Sequence, residues 1–468
     1  MRYRKRMISF LICFFISGII WLQPPPNGLD LQAWKLFAVF TFTILGIILQ
    51  VLPMGAMAFL GLSLTSALKV LPLENIFSGF QNPIVWLVVG GFFMARGFIK
   101  TGLGIRMAYK IIYWLGESTL GMAYGLIFTD FILAPALPSI TARTGGVIYP
   151  IAASLCKVFG SDPQSHPRKL GAYFMQAIFQ GSTVTSGMFL TSMAGNPLVA
   201  ELAKAQGVTI TWTKWAVAAI VPGLISLSVI PYILFKIYPP QLKRTENAKH
   251  FAKTQLHKLG PMKRAEWILL ICFVLLLLLW VFGSYISMSA TTAILIGISA
   301  LLISGVITWS DLLQDTYAWD TLTWFATLIM FATYLGKFGF TTWISTSIGS
   351  HLSGLNWVVG FCLLAFVYFY SHYLFASNSA HIGAMYAAFL VLSISLGTPP
   401  LLAALALGFI SNLFGGLTQY GSGPAPILFG AGYVSVTEWW KLGLIFSVIN
   451  ICIWGGVGAF WWKLIGIY

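Results

Sequence analysis

The 468-residue chain is 58% hydrophobic and only 8% charged, with a mean hydropathy of +0.85, which leaves too little polar surface to cover a water-soluble globule. Its formal net charge of +15 would suit a nucleic-acid binder if the basic residues formed one face. Many of them sit instead in loops beside apolar runs, where membrane topology requires them, so the reading is an all-α polytopic membrane protein without a nucleic-acid partner.

The N-terminal Met1-Arg2-Tyr3-Arg4-Lys5-Arg6 leads directly into an apolar run to Leu22, followed by Pro24-Pro25-Pro26. No small-residue cleavage site follows, so residues 1–30 read as a retained segment and first helix with its basic end in the cytoplasm. Without a long Ser/Arg-rich leader, a bacterial inner membrane is favoured over an organelle. The five cysteines, Cys13, Cys156, Cys272, Cys362 and Cys452, lack C-x-x-C spacing and read as small buried hydrophobes.

A first repeat is expected over residues 31–240. Apolar stretches at 31–52, 55–71 and 84–99 each approach the roughly 20 residues needed to cross hydrocarbon. Residues 101–114 carry Arg106 and Lys110 and read as an amphipathic piece along the interface. The segment 121–158 folds around a polar tip, Leu137-Pro138-Ser139-Ile140-Thr141-Ala142-Arg143-Thr144-Gly145-Gly146. Its arms look short for two crossings, which predicts a re-entrant hairpin. A crossing at 170–202 is interrupted by Gln180-Gly181-Ser182-Thr183-Val184-Thr185-Ser186-Gly187 and by Ala194-Gly195-Asn196-Pro197, predicting a broken helix. After a span at 215–235, the linker 241–264 holds at least seven Lys and Arg. It is therefore cytoplasmic, which agrees with the N-terminus if six crossings lie between.

Residues 265–468 repeat the same order of events. Spans at 267–285, 290–307 and 319–336 are followed by an amphipathic piece at 340–352 and a second hairpin at 358–396. Its tip is Ala376-Ser377-Asn378-Ser379-Ala380-His381-Ile382-Gly383; a shift of 238 positions lays Ser377 on Ser139, His381 on Arg143, Gly383 on Gly145 and Trp324 on Trp86. A second broken helix at 400–432 contains Ser411 through Gln419 and then Ser422-Gly423-Pro424, and a last span covers 439–462. Trp439-Trp440 and Trp461-Trp462 read as interfacial belts. The total is eleven transmembrane helices and two re-entrant hairpins; five crossings in each half make the halves an inverted repeat.

Unpaired backbone at membrane depth is costly unless it lines a cavity, so two tips facing two broken helices predict an enclosed polar chamber. The arms beginning near Gly145 and Gly383 would aim N-terminal amides inward, as an anion site requires. Opposing helix C-termini and Ser, Thr and Asn oxygens could hold Na⁺. The residues thus read as an anion carrier, cation coupling being open. HExxH, Walker, GxSxG and GxGxxG motifs are absent from the sequence, and His372, His381 and Asp130 come from different hairpins, so an intramembrane enzyme is not the reading. The repeated hairpins also favour a carrier over a channel.

Ser377-Asn378-Ser379 resembles the Ser-Asn-Thr signature of the divalent-anion/sodium symporter family. Ser139-Ile140-Thr141 is similar to its second copy, and Gly195-Asn196-Pro197 and Gly423-Pro424 fall where that family has unwound loops. The order of elements is similar over nearly the whole chain and closest to the plastidic-type 2-oxoglutarate/malate translocators. The resemblance implies a homodimeric elevator-type transporter of C4/C5 dicarboxylates, with the first four helices and their repeat mates as a fixed scaffold. It implies that substrate meets Ser139, Thr141, Asn196, Pro197, Ser377, Asn378, Ser379, Gly423 and Pro424, to which the chain's own tip residues Arg143 and His381 are added as candidates. It also implies that Na⁺, the one candidate coupling ion and no other cofactor, would use Ser139, Gly195, Ser377, Asn378 and Gly423.

Two departures from the family pattern bear on mechanism. Ile140 stands where the family has asparagine, which puts the first sodium site in doubt. Arg143 and His381 stand where it has small or hydroxyl residues. One reading makes Arg143 a fixed charge replacing Na⁺ and gripping a substrate carboxylate, a charge too costly to move empty, so that one dicarboxylate exchanges for another. Sodium-coupled symport is the alternative. The structural readings also stand: Arg143 pairing with Asp130, His381 bonded within a packed tip, and tip hydroxyls serving helix packing.

Overall fold

The computed structural model describes residues 2–352 and 356–468, and among the described residues every regular element is helical. α1 (Arg2–Leu22), α2 (Leu31–Ile48) and α3 (Met54–Ala67) are the first apolar helices. α1 turns Phe14 and Phe15 outward, a face suited to hydrocarbon. After the short α4 (Leu73–Ile76) comes α5 (Pro83–Thr101), whose start is fixed by Asn82: its side chain accepts from Ile84 N–H, and Pro83 takes the first-turn position where a missing N–H costs nothing. Gly102, at φ +74°, ends α5, and α6 (Leu103–Leu115) follows at once.

The first hairpin runs up α7 (Thr119–Leu133) and down to α8 (Tyr149–Val158). It is followed by α9 (Gly171–Met188), α10 (Gly195–Lys204), α11 (Trp212–Ile237) and the linker helix α12 (Glu246–Leu259). The second half begins with α13 (Arg264–Phe282), α14 (Ala290–Ile303), α15 (Trp309–Leu313), α16 (Thr316–Lys337) and α17 (Phe340–Leu352). Its hairpin comprises α18 (Trp357–Tyr370), α19 (Asn378–His381) and α20 (Ala387–Ser395). Then come α21 (Pro400–Leu413), α22 (Ala425–Gly430), α23 (Val436–Cys452) and α24 (Ala459–Leu464).

Two sets of helices pack closely among themselves and meet where α10 rests on α5 and α16. α2 and α3 pack together, as do α13 and α14; α3 also packs on α16, and α14 on α5. The two halves therefore exchange equivalent helices across their boundary. In the second group α9 packs on α7, α11 and α21, and α21 packs on α10, α18 and α20. Hairpins and broken helices thus share one core.

Several expectations change. Among the described residues, eight helices are long and apolar enough to cross a membrane, and these include the hairpin arms 119–136, 357–374 and 378–395, each 18 residues long. Eighteen residues rise about 27 Å, so arm length does not by itself argue for re-entry. The Gln180–Gly187 run is unbroken helix, in which Ser182, Thr183 and Ser186 return their hydroxyl protons to carbonyls one turn back. The break lies instead between Met188 and Gly195. Pro197 opens α10 rather than interrupting a helix. The second break, between Leu413 and Ala425, falls where expected. Trp439 and Trp462 are buried core residues rather than belt residues, and Cys362 and Cys452 are exposed.

The linker 241–264 holds the helix α12 rather than only a charged loop. Ala248 and Ala252, four residues apart and fully buried, let it lie close against α6. Backbone bonds from Thr119 N–H to Lys243 O and from Thr245 N–H to Glu117 O, 3.1 and 3.0 Å, tie the linker to the foot of the first hairpin. Arg106 secures the other end. Its Nε donates to Glu266 Oε1 at 2.6 Å, its Nη2 to Glu266 Oε2 at 3.1 Å, and its Nη1 to Gly260 O at 2.7 Å. The pair is nearly solvent-free, so Arg106→Ala should cost about 3–5 kcal/mol by stranding Glu266. Melting of the purified protein measures this, and Arg106→Met with Glu266→Leu should recover much of the loss.

Candidate functional site

The two tips are built alike. In the first, a 3₁₀ turn (Ala134–Ala136) gives way to extended Leu137 at φ −121°. Ser139 then starts the returning arm: its Oγ accepts from Ala142 N–H at 3.1 Å and its carbonyl from Arg143 N–H at 3.0 Å. A π-helical stretch (Thr141–Ile148) follows. In the second, a 3₁₀ turn (Ser371–Leu374) gives way to extended Phe375 at φ −116°. Ser377 accepts from Ala380 N–H at 3.4 Å and from His381 N–H at 3.1 Å, and a π-helical stretch (Ile382–Tyr386) follows. Each serine accepts the cap bond and keeps its own proton to donate.

Each tip meets the break of the opposite half. Thr141 lies so close to Gly423 that a Cβ there would strike its Oγ1. Ser379, the residue equivalent to Thr141, lies beside Gly195, where an added Cβ would come 3.6 Å from its Oγ and 2.5 Å from Ile382 Cδ1. The arrangement closes on itself. Ala194 N–H donates to Pro138 O at 2.9 Å, and a Cβ on Gly415 would sit 2.8 Å from Asn378 Nδ2 and 3.2 Å from Ser422 Cβ. Ser139, Thr141, Ser377, Asn378, Ser379, Gly195, Gly423 and Pro424 therefore belong to one cluster. A cavity of about 350 Å³ opens onto the second tip between Phe375, Ser377, Ala380, Gln50, Pro53 and Arg6.

Arg143 takes the partner foreseen in its structural reading. It is fully buried, and its Nε donates to Asp130 Oδ1 at 3.1 Å while Nη1 donates to Leu137 O and Ser192 O at 2.5 and 2.6 Å. Thr185 donates to the other Asp130 oxygen. Asp130 neutralises the guanidinium, so the argument for exchange from a bare moving charge lapses. Arg143 instead joins the first tip to the first break.

His381 lies behind its tip. Its Nδ1 is 3.0 Å from His372 Nδ1, and its ring stacks between Phe375 and Phe414 at centroid distances of 4.2 and 4.5 Å. Asn196 faces backbone: its Nδ2 donates to Ser186 O and Phe189 O, and its Oδ1 accepts from Asn412 Nδ2 at 2.7 Å. Sequence reasoning foresaw Asp130 beside Arg143 but missed Thr185, Gln180, His372 and Asn412 as parts of the cluster. Gln180 and Asn412, polar within apolar helices, were the available signal.

Among the described residues, buried polar atoms without a partner include Arg143 Nη2, Thr144 Oγ1, Thr418 Oγ1, Ser422 Oγ and Asn412 Oδ1. Four of these five carry a proton to donate. Such a surplus suits an acceptor-rich anion.

Comparison with known proteins follows the same line. Residues 4–468 match a family described as the sodium:sulfate symporter transmembrane region. The "Putative malate transporter YflS" of Bacillus subtilis is 50% identical over 465 residues, covering 99% of this chain and 97% of its own. The chloroplastic dicarboxylate transporter 1 of Spinacia oleracea is 49% identical over 466 residues, covering 98% and 82%. Among solved structures, the YdaH transporter of Alcanivorax borkumensis superposes with a TM-score of 0.59 at 13% identity over 98% of both chains, a likeness of fold.

Proposed function

This chain belongs to the sodium:sulfate symporter family of membrane transporters, and from that premise we propose that it carries C4/C5 dicarboxylates across a bacterial inner membrane, exchanging 2-oxoglutarate for malate or a similar diacid. The observation that carries the reading is the crosswise seating of each tip on the opposite break, with the Thr418 and Ser422 hydroxyls of the second break left unserved. Two carboxylates, each taking several hydrogen bonds, match hydroxyls and arm amides converging from both halves. We place Ser139, Thr141, Ser377, Asn378, Ser379 and the Gly423-Pro424 backbone against substrate. Arg143, His381, Asn196 and Pro197 hold these in position from behind.

Exchange follows from the same surplus. Moving empty would carry unserved donors, or the water serving them, through a low-dielectric path, and each such group costs about 1–3 kcal/mol. A bound diacid removes that cost. The hairpins and broken helices pack together beside the α2, α3, α5, α13, α14 and α16 group, so the reading is an elevator in which the hairpins and broken helices slide against that group, within a homodimer whose N-termini face the cytoplasm. The halves would be inverted repeats, making eleven crossings and two re-entrant hairpins. Sodium-coupled symport is the second reading, favoured by the family's sodium-linked description.

Counterflow in proteoliposomes tests the proposal. Labelled malate should enter vesicles loaded with 2-oxoglutarate at least about tenfold faster than empty ones, the unloaded barrier being a few kcal/mol higher. Equal uptake into empty vesicles would end the exchange reading, and no uptake of any dicarboxylate would end the substrate assignment.

A further inference from the structure

The cavity of about 350 Å³ at the second tip is in the size range of small-ligand pockets, and among the described residues that line it Arg6 is the one that carries a charge. The spacing of α1 brings an arginine so near the start of the chain to a hairpin tip. Arg6, Phe10 and Cys13 stand at i, i+4 and i+7, on one face of the helix. Cys13 is fully buried in an apolar cluster shared with Phe42, Ile47, Phe375 and Ala380, and Phe10 meets Phe42 edge to face at a centroid distance of 5.8 Å. That face therefore docks on α2 and on the tip, and it ends in Arg6 at the cavity.

Gln50 lines the same cavity from the end of α2. It holds φ +51°, the left-handed conformation in which a helix end ordinarily places glycine, with its own N–H on Ile47 O and Val51 N–H on Gly46 O. Glycine would close the helix at less cost and bring no side chain, whereas glutamine puts an amide donor on the cavity wall. Ser377 lines the cavity as well and retains its hydroxyl proton. A guanidinium, an amide and a hydroxyl thus stand among apolar walls that include Ile47, Leu52 and Phe375. Arg6 and Gln50 are exposed, so solutes reach them. Among the described residues, Arg6 pairs with no carboxylate.

Membrane topology accounts for a basic N-terminus but not for this placement, because Arg2, Arg4 and Lys5 already supply the charge that keeps that end in the cytoplasm. An unpaired cation beside low-dielectric walls focuses its field along the opening and raises the local concentration of anions.

We propose that Arg6, with Gln50 and Ser377, forms an outer anion subsite at the cytoplasmic mouth of the second tip, where one carboxylate of an incoming dicarboxylate is held before the tips take it. The planar fork of an arginine matches a carboxylate with two parallel hydrogen bonds. The inference rests on the dicarboxylate-carrier reading above and deepens it: the subsite sets affinity at one membrane face and leaves the other alone.

The test is uptake of labelled malate by membrane vesicles that hold the full chain and are loaded with 2-oxoglutarate, in right-side-out and in everted orientation. Arg6→Gln should raise KM by about three- to tenfold in everted vesicles, whose outer face is the cytoplasmic one, with the maximal rate held within about twofold and KM unchanged in right-side-out vesicles. Wild-type uptake by everted vesicles at low malate should fall as ionic strength rises from about 10 to about 150 mM and the Debye length shortens from about 30 to about 8 Å. Arg6→Gln should lessen that fall, and Arg6→Lys, which keeps the charge, should retain it. Wild-type KM for Arg6→Gln in everted vesicles, a KM raised equally at both faces, a maximal rate lost with KM unchanged, or a salt response identical to wild type overturns the subsite and leaves a dicarboxylate carrier. A wild type that takes up no dicarboxylate at either face overturns the underlying function instead.

Discussion

Asp130→Ala is expected to destabilise the protein by about 3–5 kcal/mol, because it strands the Arg143 guanidinium in a site with no solvent and a low dielectric. Thr185 loses its acceptor in the same change. Arg143→Lys should fail nearly as badly, since one ammonium cannot reach Asp130, Leu137 O and Ser192 O with the planar fork that the guanidinium provides. The informative variant removes both charges. Asp130→Leu with Arg143→Met should recover most of the melting temperature, as paired replacement of buried ions usually does. It should not recover transport, because the first tip then loses the tie that Arg143 makes to the first break through Ser192 O. Melting of the purified protein and counterflow of the same preparation read the two effects separately. An Asp130→Ala protein that melts with the wild type would show that the ion pair holds nothing.

The second large effect is expected at Gly423. A methyl group there meets Thr141 Oγ1 directly, so Gly423→Ala should push the first tip off the second break, an overpacking cost of about 1–3 kcal/mol falling on the substrate site itself. Transport should drop by roughly 5- to 150-fold if that cost is felt in the loaded state. Thr141→Ala removes the atom that is struck. The Gly423→Ala, Thr141→Ala double variant should therefore transport better than Gly423→Ala alone, a sign reversal that a general folding defect does not produce. Counterflow rates of the four proteins complete the cycle. Additive losses would mean that the two residues do not meet in the working carrier.

These two sites also show what could be read from the chain alone. The hairpin tips were legible because Ser139 and Ser377 stand in small polar runs between apolar ones, and a single shift aligns both tips as far as Gly145 and Gly383. The second break was legible from Gly423-Pro424. Of the two interruptions read in the first, the one at 194–197 adjoins the observed break, whereas the hydroxyl-rich run 180–187 bonds back onto its own helix and stays continuous. Partners distant in the chain left no local trace: Gln180 meets Gly416 O 236 positions away, and Asn196 meets Asn412 216 away. Such pairings arise from how the two halves cross, which no window of one half contains. The linker helix was missed for a different reason. Its charge hid a spacing, Ala248 and Ala252, that helical periodicity would have picked out.

The alternatives for Arg143 and His381 divide in the same way. Both are the large polar residues of their tips, and the sequence offered each either substrate or an internal partner. Arg143 meets Asp130 from its own hairpin, thirteen positions away, and His381 meets His372, nine positions away. These partners were close enough in sequence to be foreseen. The choice between them and a ligand depended on which way the arms turn.

Binding measured by calorimetry tests most directly whether the paired tips form the dicarboxylate site. Titration of 2-oxoglutarate into purified wild type should saturate. Ser139→Ala and Ser377→Ala should each weaken it by about tenfold or more, a hydrogen bond to a charged group being worth about 1.5–3 kcal/mol, while Ser139→Thr and Ser377→Thr, which keep the hydroxyl, should bind nearly as wild type does. Alanine variants that bind with wild-type affinity, or a folded wild type that binds no dicarboxylate, would contradict the account.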